Sequence, residues 1–185
     1  MRRVIFGINI TADGFCSHTD GIADDDLHAF HADLLRGSGI LLTGRVTWEL
    51  MVPYWPEVAR TQSETPVVND FARVYDAVEK LVFSRTLKRV EGSNTRLARA
   101  TPAEEVLALR EQPGRNITVG SLSIASQLSA AGLIDEYHFV VHPFVAGKGP
   151  RLFDTVTPQD RVALELVGTK TFASGVVALH YRKRG

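Results

Sequence analysis

Residues 116–153 read NITVGSLSIASQLSAAGLIDEYHFVVHPFVAGKGPRLF, and this stretch decides the fold of the chain. A short apolar run at 117–119 is followed by Gly120 and Ser121, then by apolar residues at helical spacing up to Gly132, which suits a helix C-terminus. A longer β pattern follows over residues 136–142. The stretch is therefore a strand–glycine–helix–strand unit. Because a helix N-terminus carries partial positive charge and free N–H groups, the unit predicts a nucleotide cofactor at its first turn.

Length, charge and cysteine content exclude several classes of protein. The chain has 185 residues, which predicts one domain over residues 1–185. Its 21 basic and 21 acidic residues give zero net charge, which argues against nonspecific nucleic-acid binding. Cys16 is the only cysteine, so we expect neither an internal disulfide nor a cysteine-based zinc site. No apolar run approaches the ~20 residues of a membrane span, and the first residues enter a strand pattern directly, so we expect a cytoplasmic protein with no membrane partner.

The remaining chain alternates between strand and helix patterns. Further strands are predicted at residues 4–11, 40–42, 81–83 and 95–100. Helices are predicted from 24–26 to 37–39, over 46–51 and 67–78, and from a capping box at 101–104 through 111. Pro53, Trp55 and Pro56 are interpreted as the end of the second helix. Two final β runs, 161–172 and 176–182, predict an antiparallel hairpin, so the fold class is α/β with a mixed sheet.

Three apolar strands end in similar turns. The strand at 40–42 leads into Thr43-Gly44-Arg45, the strand at 81–83 into Ser84-Arg85, and the strand at 117–119 into Gly120-Ser121. In open α/β sheets, ligands bind beyond the carboxyl ends of the strands. Each turn alone is as readily explained by ordinary turn geometry or by a solvated arginine. Together they predict a crevice for a dinucleotide.

Four motifs in the same order resemble those of the dihydrofolate reductase superfamily. Residues 43–49, TGRVTWE, are similar to its Gly-Arg-x-Thr-[Tyr/Trp]-Glu motif, and residues 10–15, ITADGF, are similar to its Ser-Leu-Asp-Gly-[Phe/Tyr] start. Residues 80–87, KLVFSRTL, match a third landmark. Residues 132–136, GLIDE, followed by Pro143, Gly147, Gly149 and Phe153, match the last one. These last landmarks most resemble the branch that contains the C-terminal reductase domain of the bifunctional riboflavin-biosynthesis deaminase/reductase.

The resemblance implies a three-layer α/β/α reductase domain that uses NADPH. The positions that it places around the cofactor come from four strand ends: Ile10, Thr11, Ala12, Gly44, Arg45, Val46, Thr47, Ser84, Arg85, Gly120, Ser121 and Leu122. It assigns residues 10–12 to the nicotinamide and the turn at 44–47 to phosphates. It assigns residues 84–85 to the 2′-phosphate, and residues 120–122 to the pyrophosphate and the nicotinamide side. The family usually has Gly-Gly at 120–121, where this chain has Gly-Ser.

Asp26 is the candidate proton donor. It lies on the helix that would cover the substrate, where folate enzymes keep an acidic residue, and a carboxyl group in a partly apolar pocket can act as an acid. The alternative is that Asp24, Asp25 and Asp26 only cap this helix. His28 and His31 could share a helix face, but further metal ligands are missing, so no metal site is predicted.

Three functions remain open on this basis. The first is an NADPH-dependent reductase of a small heterocyclic (pterin- or pyrimidinone-like) or carbonyl substrate. The second is a non-catalytic, nucleotide-binding or regulatory dimer on the same fold, and the third is a 5-amino-6-(5-phosphoribosylamino)uracil reductase of riboflavin biosynthesis. A homodimer is expected from the family branch and from the apolar final hairpin.

Overall fold

The structure is a computed structural model that describes residues 1–16, 21–92, 94–154, 158 and 161–185. The strands in these residues are β1 (Val4–Thr11), β2 (Ser38–Gly44), β3 (Glu79–Phe83), β4 (Thr95–Leu97), β5 (Asn116–Val119), β6 (Glu136–His142), β7 (Leu164–Thr171) and β8 (Val177–Lys183). The helices are α1 (Asp25–Arg36), α2 (Arg45–Met51), α3 (Trp55–Thr61), α4 (Pro66–Ala77), α5 (Pro102–Arg110) and α6 (Leu122–Ala130). Among the described helices, none has the length and apolar character needed to cross a membrane.

The strands form one mixed sheet in the order β4-β3-β2-β5-β1-β6-β8-β7. The six strands from β4 to β6 are parallel to one another. The last two strands form the C-terminal hairpin, in which β8 runs antiparallel to both β6 and β7. The α/β fold class, the mixed sheet and the terminal hairpin are therefore confirmed.

Helices cover both faces of the sheet because apolar residues alternate along the strands. On one face, the buried residues Val4, Phe6 and Ile117 pack with side chains of α5 and α6, such as Val106 and Leu128. On the other face, Leu41 of β2 packs against α1 and α4. Val140 of β6 packs against Leu27 of α1 on this second face. The result is the expected three-layer α/β/α arrangement.

Local sequence signals set several helix ends as predicted. The carboxylate of Asp24 caps α1 by accepting a hydrogen bond from the Leu27 N–H. Thr101 and Glu104 form a reciprocal capping box at the start of α5. Gly132 follows α6 with φ of +67°, the left-handed conformation that glycine adopts without steric cost.

Several predicted boundaries were wrong: the strand predicted over 95–100 ends at Leu97, and the β run predicted from 161 starts at Leu164. Pro53, Trp55 and Pro56 were interpreted as a stop, but Trp55 begins the additional helix α3 and Pro56 lies in its first turn. Proline is tolerated there because the first N–H groups of a helix have no intrahelical acceptor. The structure also starts β2 at Ser38, earlier than predicted.

Candidate functional site

The predicted turns meet along one edge of the sheet. The strands β3, β2, β5 and β1 are consecutive neighbours and run parallel. Their carboxyl ends therefore share an edge, over roughly 14 Å at the usual strand spacing. The segments at this edge are residues 84–85, 44–47, 120–122 and 10–12. All twelve positions that the sequence assigns to a cofactor thus lie at neighbouring strand ends.

The turns after β2 and β5 are in direct contact. A Cβ atom added to Gly44 would lie 2.9 Å from the hydroxyl oxygen of Ser121, a separation that real Cβ atoms essentially never show. Ser121 itself has an ordinary extended backbone, with φ of −144° and ψ of 133°. A serine is therefore accommodated at position 121, and its hydroxyl group faces Gly44.

The N-terminus of α6 opens onto this contact. Ser121 is the N-cap residue, yet its side chain makes no capping hydrogen bond. The first bond into the helix is donated by the Ala125 N–H to the Ser121 carbonyl oxygen. The N–H groups of Leu122 and of the next two residues have no intrahelical acceptor, as at any helix start. This nine-residue helix therefore presents free donors at the shared edge.

A basic loop follows β3 on the other side of the crevice. The Ser84 hydroxyl oxygen accepts hydrogen bonds from the N–H groups of Thr86 (3.1 Å) and Leu87 (2.9 Å), and it lies 3.4 Å from the Thr86 hydroxyl oxygen, so its proton can be donated to Thr86 or to a ligand. Arg85, Lys88 and Arg89 are exposed. Within the described chain, none of these three cations forms an ion pair.

The side chains of α2 are less available to a phosphate. Arg45 is paired with Glu49 at 2.9 Å in an i,i+4 ion pair on the helix surface. Val46 is 59% exposed and Thr47 is partly exposed. The phosphate-binding role of Arg45 therefore stays a prediction, and it would require exchange of Glu49 for the ligand.

The end of β1 is fixed by its own hydrogen bonds. The Thr11 hydroxyl group donates to Asp13 at 2.5 Å and accepts from the Phe15 N–H at 3.0 Å. The bond from Thr11, with N–H groups of residues 146 and 147, lowers the pKa of Asp13 to about 2. Ala12 is exposed and Ile10 is partly buried. The Thr11 hydroxyl is thus committed to the turn, and Ala12 is the exposed part of this segment.

Asp26 lies on the outer side of α1. Leu27 is buried against the sheet. Asp26 and Asp33 share the opposite side of the helix at i,i+7 spacing, and both are exposed. The structure describes no hydrogen bond or ion pair of the Asp26 side chain. Its role as a proton donor stays a prediction, whereas Asp24 is shown to be a helix cap.

His28 and His31 were singled out from the sequence, but His142, which influences His31 between α1 and the sheet, was missed. His31 of α1 meets Asn9 of β1, with Nε2 3.2 Å from the Asn9 Oδ1 atom. Burial lowers the pKa of His31 to about 4, and neighbouring imidazoles act in the same direction. His142, at the end of β6, is 2% exposed. The signal was present in β6, where period-2 alternation places residues 136, 138 and 142 on one face.

One cluster in the described residues has the composition of a metal site. Ligand atoms of Glu136, His138 and His180 lie within 4.8 Å of one another. However, the two imidazole rings are stacked, with centroids 4.1 Å apart and planes 14° apart. Because a metal binds in the plane of each imidazole ring, two parallel rings cannot share one ion. Arg3 also pairs with Glu136 at 2.7 Å, so the cluster is organised as an ion-pair network.

Comparisons with known proteins agree with this geometry. The model of the family "RibD C-terminal domain" matches residues 2–178. The chain is 31% identical over 190 residues to Uncharacterized protein YyaP of Bacillus subtilis (strain 168), covering 100% of this chain and 96% of that protein.

Solved structures show the same fold at low identity. A protein from Shewanella sp. PV-4, provisionally assigned to riboflavin biosynthesis, has a TM-score of 0.72 and 13% identity, covering 99% of both chains. A pyrimidine reductase-like protein from Corynebacterium diphtheriae has a TM-score of 0.65 and 12% identity, over 100% of this chain and 92% of that one. A diaminohydroxyphosphoribosylaminopyrimidine deaminase/5-amino-6-(5-phosphoribosylamino)uracil reductase from Thermotoga maritima has a TM-score of 0.65 and 15% identity. That comparison covers 99% of this chain but 57% of the Thermotoga chain.

These findings confirm the branch that the sequence motifs predicted. The match extends over nearly the whole chain, and the fold agrees with each solved structure. The chain belongs to the RibD C-terminal domain family.

Proposed function

We propose that this protein is an NADPH-dependent reductase of a small heterocyclic or carbonyl substrate. Family membership supports an oxidoreductase. The observation that carries the cofactor assignment is the sheet edge at which four parallel strands end side by side. A free helix N-terminus and an unpaired basic loop lie at this edge, and both are suited to phosphate groups.

The residues at the edge fit a dinucleotide with a 2′-phosphate. The absence of a side chain on Gly44 lets the backbone of this turn approach the buried Ser121 hydroxyl group closely, where the two strand ends meet. The N–H groups at the start of α6 would hold the pyrophosphate, and Ser84 with Arg85 would hold the 2′-phosphate. Bound NADPH supplies a hydride, and the protein contributes binding, alignment and electrostatics.

The substrate would bind between α1 and the end of β1. Asn9 is exposed although β1 lies inside the sheet, so this face of the strand is open. His31 contributes a neutral imidazole beside Asn9 at neutral pH, because its pKa is lowered to about 4. Asn9 and His31 are therefore polar, uncharged groups beside this opening, which favours a substrate with hydrogen-bonding groups.

A second candidate is reduction of 5-amino-6-(5-phosphoribosylamino)uracil. The structural likeness to a bifunctional protein whose name includes this reductase activity favours it. Oxidation of NADPH that depends on this compound would support it, and NADPH-dependent reduction of other substrates without this one would exclude it.

A non-catalytic, nucleotide-binding dimer is the third candidate. It predicts cofactor binding without turnover across pterin, pyrimidine and carbonyl compounds.

The deciding experiment is a titration with NADPH, with NADH in parallel. Trp48 and Trp55 lie in α2 and α3, which follow the β2 end of the crevice, so energy transfer to the nicotinamide reports binding. We expect saturable quenching of tryptophan fluorescence at lower concentrations of NADPH than of NADH. Absence of binding by both cofactors would contradict the proposed function.

A further inference from the structure

His142 lies at the same sheet edge as the cofactor crevice, one strand further along. It pairs with Thr11 across the parallel ladder between β1 and β6. Because β6 is the neighbour of β1 on the side away from β5, His142 follows the strand end at which the nicotinamide is expected. Its side chain shares a face with Val140, which packs against Leu27 of α1. The imidazole is thus on the substrate side of the crevice.

Hydrogen bonding fixes the tautomer of His142. The backbone N–H of Ile22 donates to Nδ1 at 3.1 Å. A backbone N–H can only donate, so Nδ1 is the acceptor and the proton of the neutral ring resides on Nε2. Burial lowers the pKa of His142, and the opposing influence of Asp24 is smaller, which keeps the ring neutral near pH 7.

The Nε2–H group has no acceptor among the described residues. It is buried and makes no hydrogen bond to any part of the chain that the structure describes. Buried donors in folded proteins are nearly always paired, so an exception calls for a functional explanation. Gly21 covers this side of the ring: a Cβ atom there would lie 3.4 Å from Cε1 and 3.7 Å from Nε2. Because Gly21 has no side chain, the space beside Cε1 and Nε2 that a Cβ atom would fill is left open.

We propose that the Nε2–H group of His142 donates a hydrogen bond to an uncharged acceptor of the substrate, a carbonyl oxygen or a ring nitrogen. The proposal rests on the proposed reductase function and names a substrate-binding residue for it. A neutral imidazole polarises such an acceptor without giving up its proton, so the donor is regenerated by substrate release alone.

The charges around His142 favour an acceptor over a cation. His31 faces the same space with a second neutral imidazole, and its ionisation is coupled to that of His142. Asp24 is the carboxylate that influences His142, and its Oδ1 atom already accepts from the Leu27 N–H at 2.8 Å. Because the Nε2–H group can only donate, it pairs with an acceptor and not with a cation, and Asp24 remains engaged with the start of α1.

Two variants separate the two nitrogen atoms of the ring. His142→Asn keeps an acceptor near the position of Nδ1, and so the bond to Ile22, but removes the Nε2–H group. His142→Phe removes both functions and keeps an aromatic ring. His180→Asn is a control on the neighbouring strand β8, since His180 is held by Glu136 at 2.9 Å and lies outside the proposed site.

The probe is 6-aminouracil, an uncharged pyrimidinone with carbonyl acceptors. Long-range proton–nitrogen NMR of the wild type should show the Nε2–H tautomer of His142 and a shift of Nε2 on addition of the probe. We expect His142→Asn to bind the probe about five- to tenfold more weakly, as for loss of one neutral hydrogen bond. NADPH affinity and the Ile22 amide signal should be unchanged, whereas His142→Phe should lose both the probe and the Ile22 signal.

Equal probe affinity in the wild type and His142→Asn would overturn the proposal and leave His142 as an anchor for Ile22. Failure of the wild type to bind 6-aminouracil at millimolar concentration would also overturn it. The two proposals can fail separately, because the tautomer and the affinity for the probe are measured without NADPH. Lack of NADPH binding with a normal His142 response would contradict only the reductase assignment.

Discussion

The hydroxyl oxygen of Ser121 lies 2.9 Å from the position that a Cβ atom would occupy on Gly44. The turn after β5 therefore rests on the backbone of the turn after β2. This contact joins two strand ends that are separated by more than 70 residues along the chain. A larger side chain at position 44 consequently requires a smaller one at position 121.

Gly44→Ala should destabilise the protein and weaken cofactor binding. The added methyl group must displace Ser121, and overpacking of this kind costs about 1–3 kcal/mol. Adding Ser121→Gly should recover part of the loss, because the hydroxyl group in contact with the new methyl is removed. Urea denaturation and NADPH titration of both single variants and the double variant measure this coupling. Strictly additive effects would show that the two turns are independent.

Arg85→Ala should reduce the preference for NADPH over NADH by ~10–100-fold, because a charge-assisted hydrogen bond contributes ~1.5–3 kcal/mol. Binding of NADH, which lacks the 2′-phosphate, should change little. Arg60→Ala is the matched control, since Arg60 is an exposed arginine on α3 paired with Glu57 at 2.5 Å. An unchanged ratio of the two dissociation constants in Arg85→Ala would remove Arg85 from the site.

The sequence predicted the sheet well because burial imposes a period on each strand. Both ends of β1 and β6 were correct, since alternation stops sharply at Thr11 and His142. The helix α3 was missed because proline signals both the end of a helix and its first turn, and only tertiary packing distinguishes the two.

The candidate site was predictable only as far as the backbone determines it. Parallel strands bring their carboxyl ends together whatever the side chains do, so the shared edge followed from the strand patterns. The i,i+4 spacing permits the ion pair of Arg45 with Glu49, but the predicted phosphate role of Arg45 did not take this pair into account. The unpaired Nε2–H group of His142 could not be predicted, because its tautomer is set by a hydrogen bond from the loop residue Ile22, 120 residues away in the chain.

The expectation of a homodimer stays a proposal, for which β7 offers a surface. This strand is the outermost strand of the sheet at the C-terminal end. Leu166 and Val167 on it are 53% and 44% exposed. We expect a sedimentation mass of twice 20.3 kDa and a shift towards the monomer in Leu166→Lys, because a charge on an edge strand opposes pairing. Leu107→Lys, at a position on α5 that is 51% exposed, is the control, and a monomeric wild type would contradict the proposal.

Stability should fall as the pH is lowered from 7 to 5, because buried histidines, among them His31 and His138, are held neutral in the folded protein. Burial lowers the pKa of His138 and of His31 to about 4, compared with roughly 6.5 in an unfolded chain. Between these values the unfolded chain binds protons that the folded protein does not, so acid favours unfolding by ~1–2 kcal/mol for each histidine. Glu136 faces His138 and adds to the loss at lower pH, since hydrogen bonds from His180 and Arg3 outweigh burial and lower its pKa.

The variant His138→Asn isolates one of these contributions. Asparagine does not titrate, so the free energy of unfolding should decrease less between pH 7 and pH 5 than in the wild type. The difference should equal the contribution of one histidine, ~1–2 kcal/mol. Urea denaturation at constant ionic strength measures the difference at each pH. The ring of His138 stacks on that of His180 at 4.1 Å, so the variant is also expected to be less stable at pH 7. Only the change in the free energy of unfolding between pH 7 and pH 5 therefore tests the prediction. If this change is the same in His138→Asn and the wild type, His138 is protonated in the folded protein at pH 5.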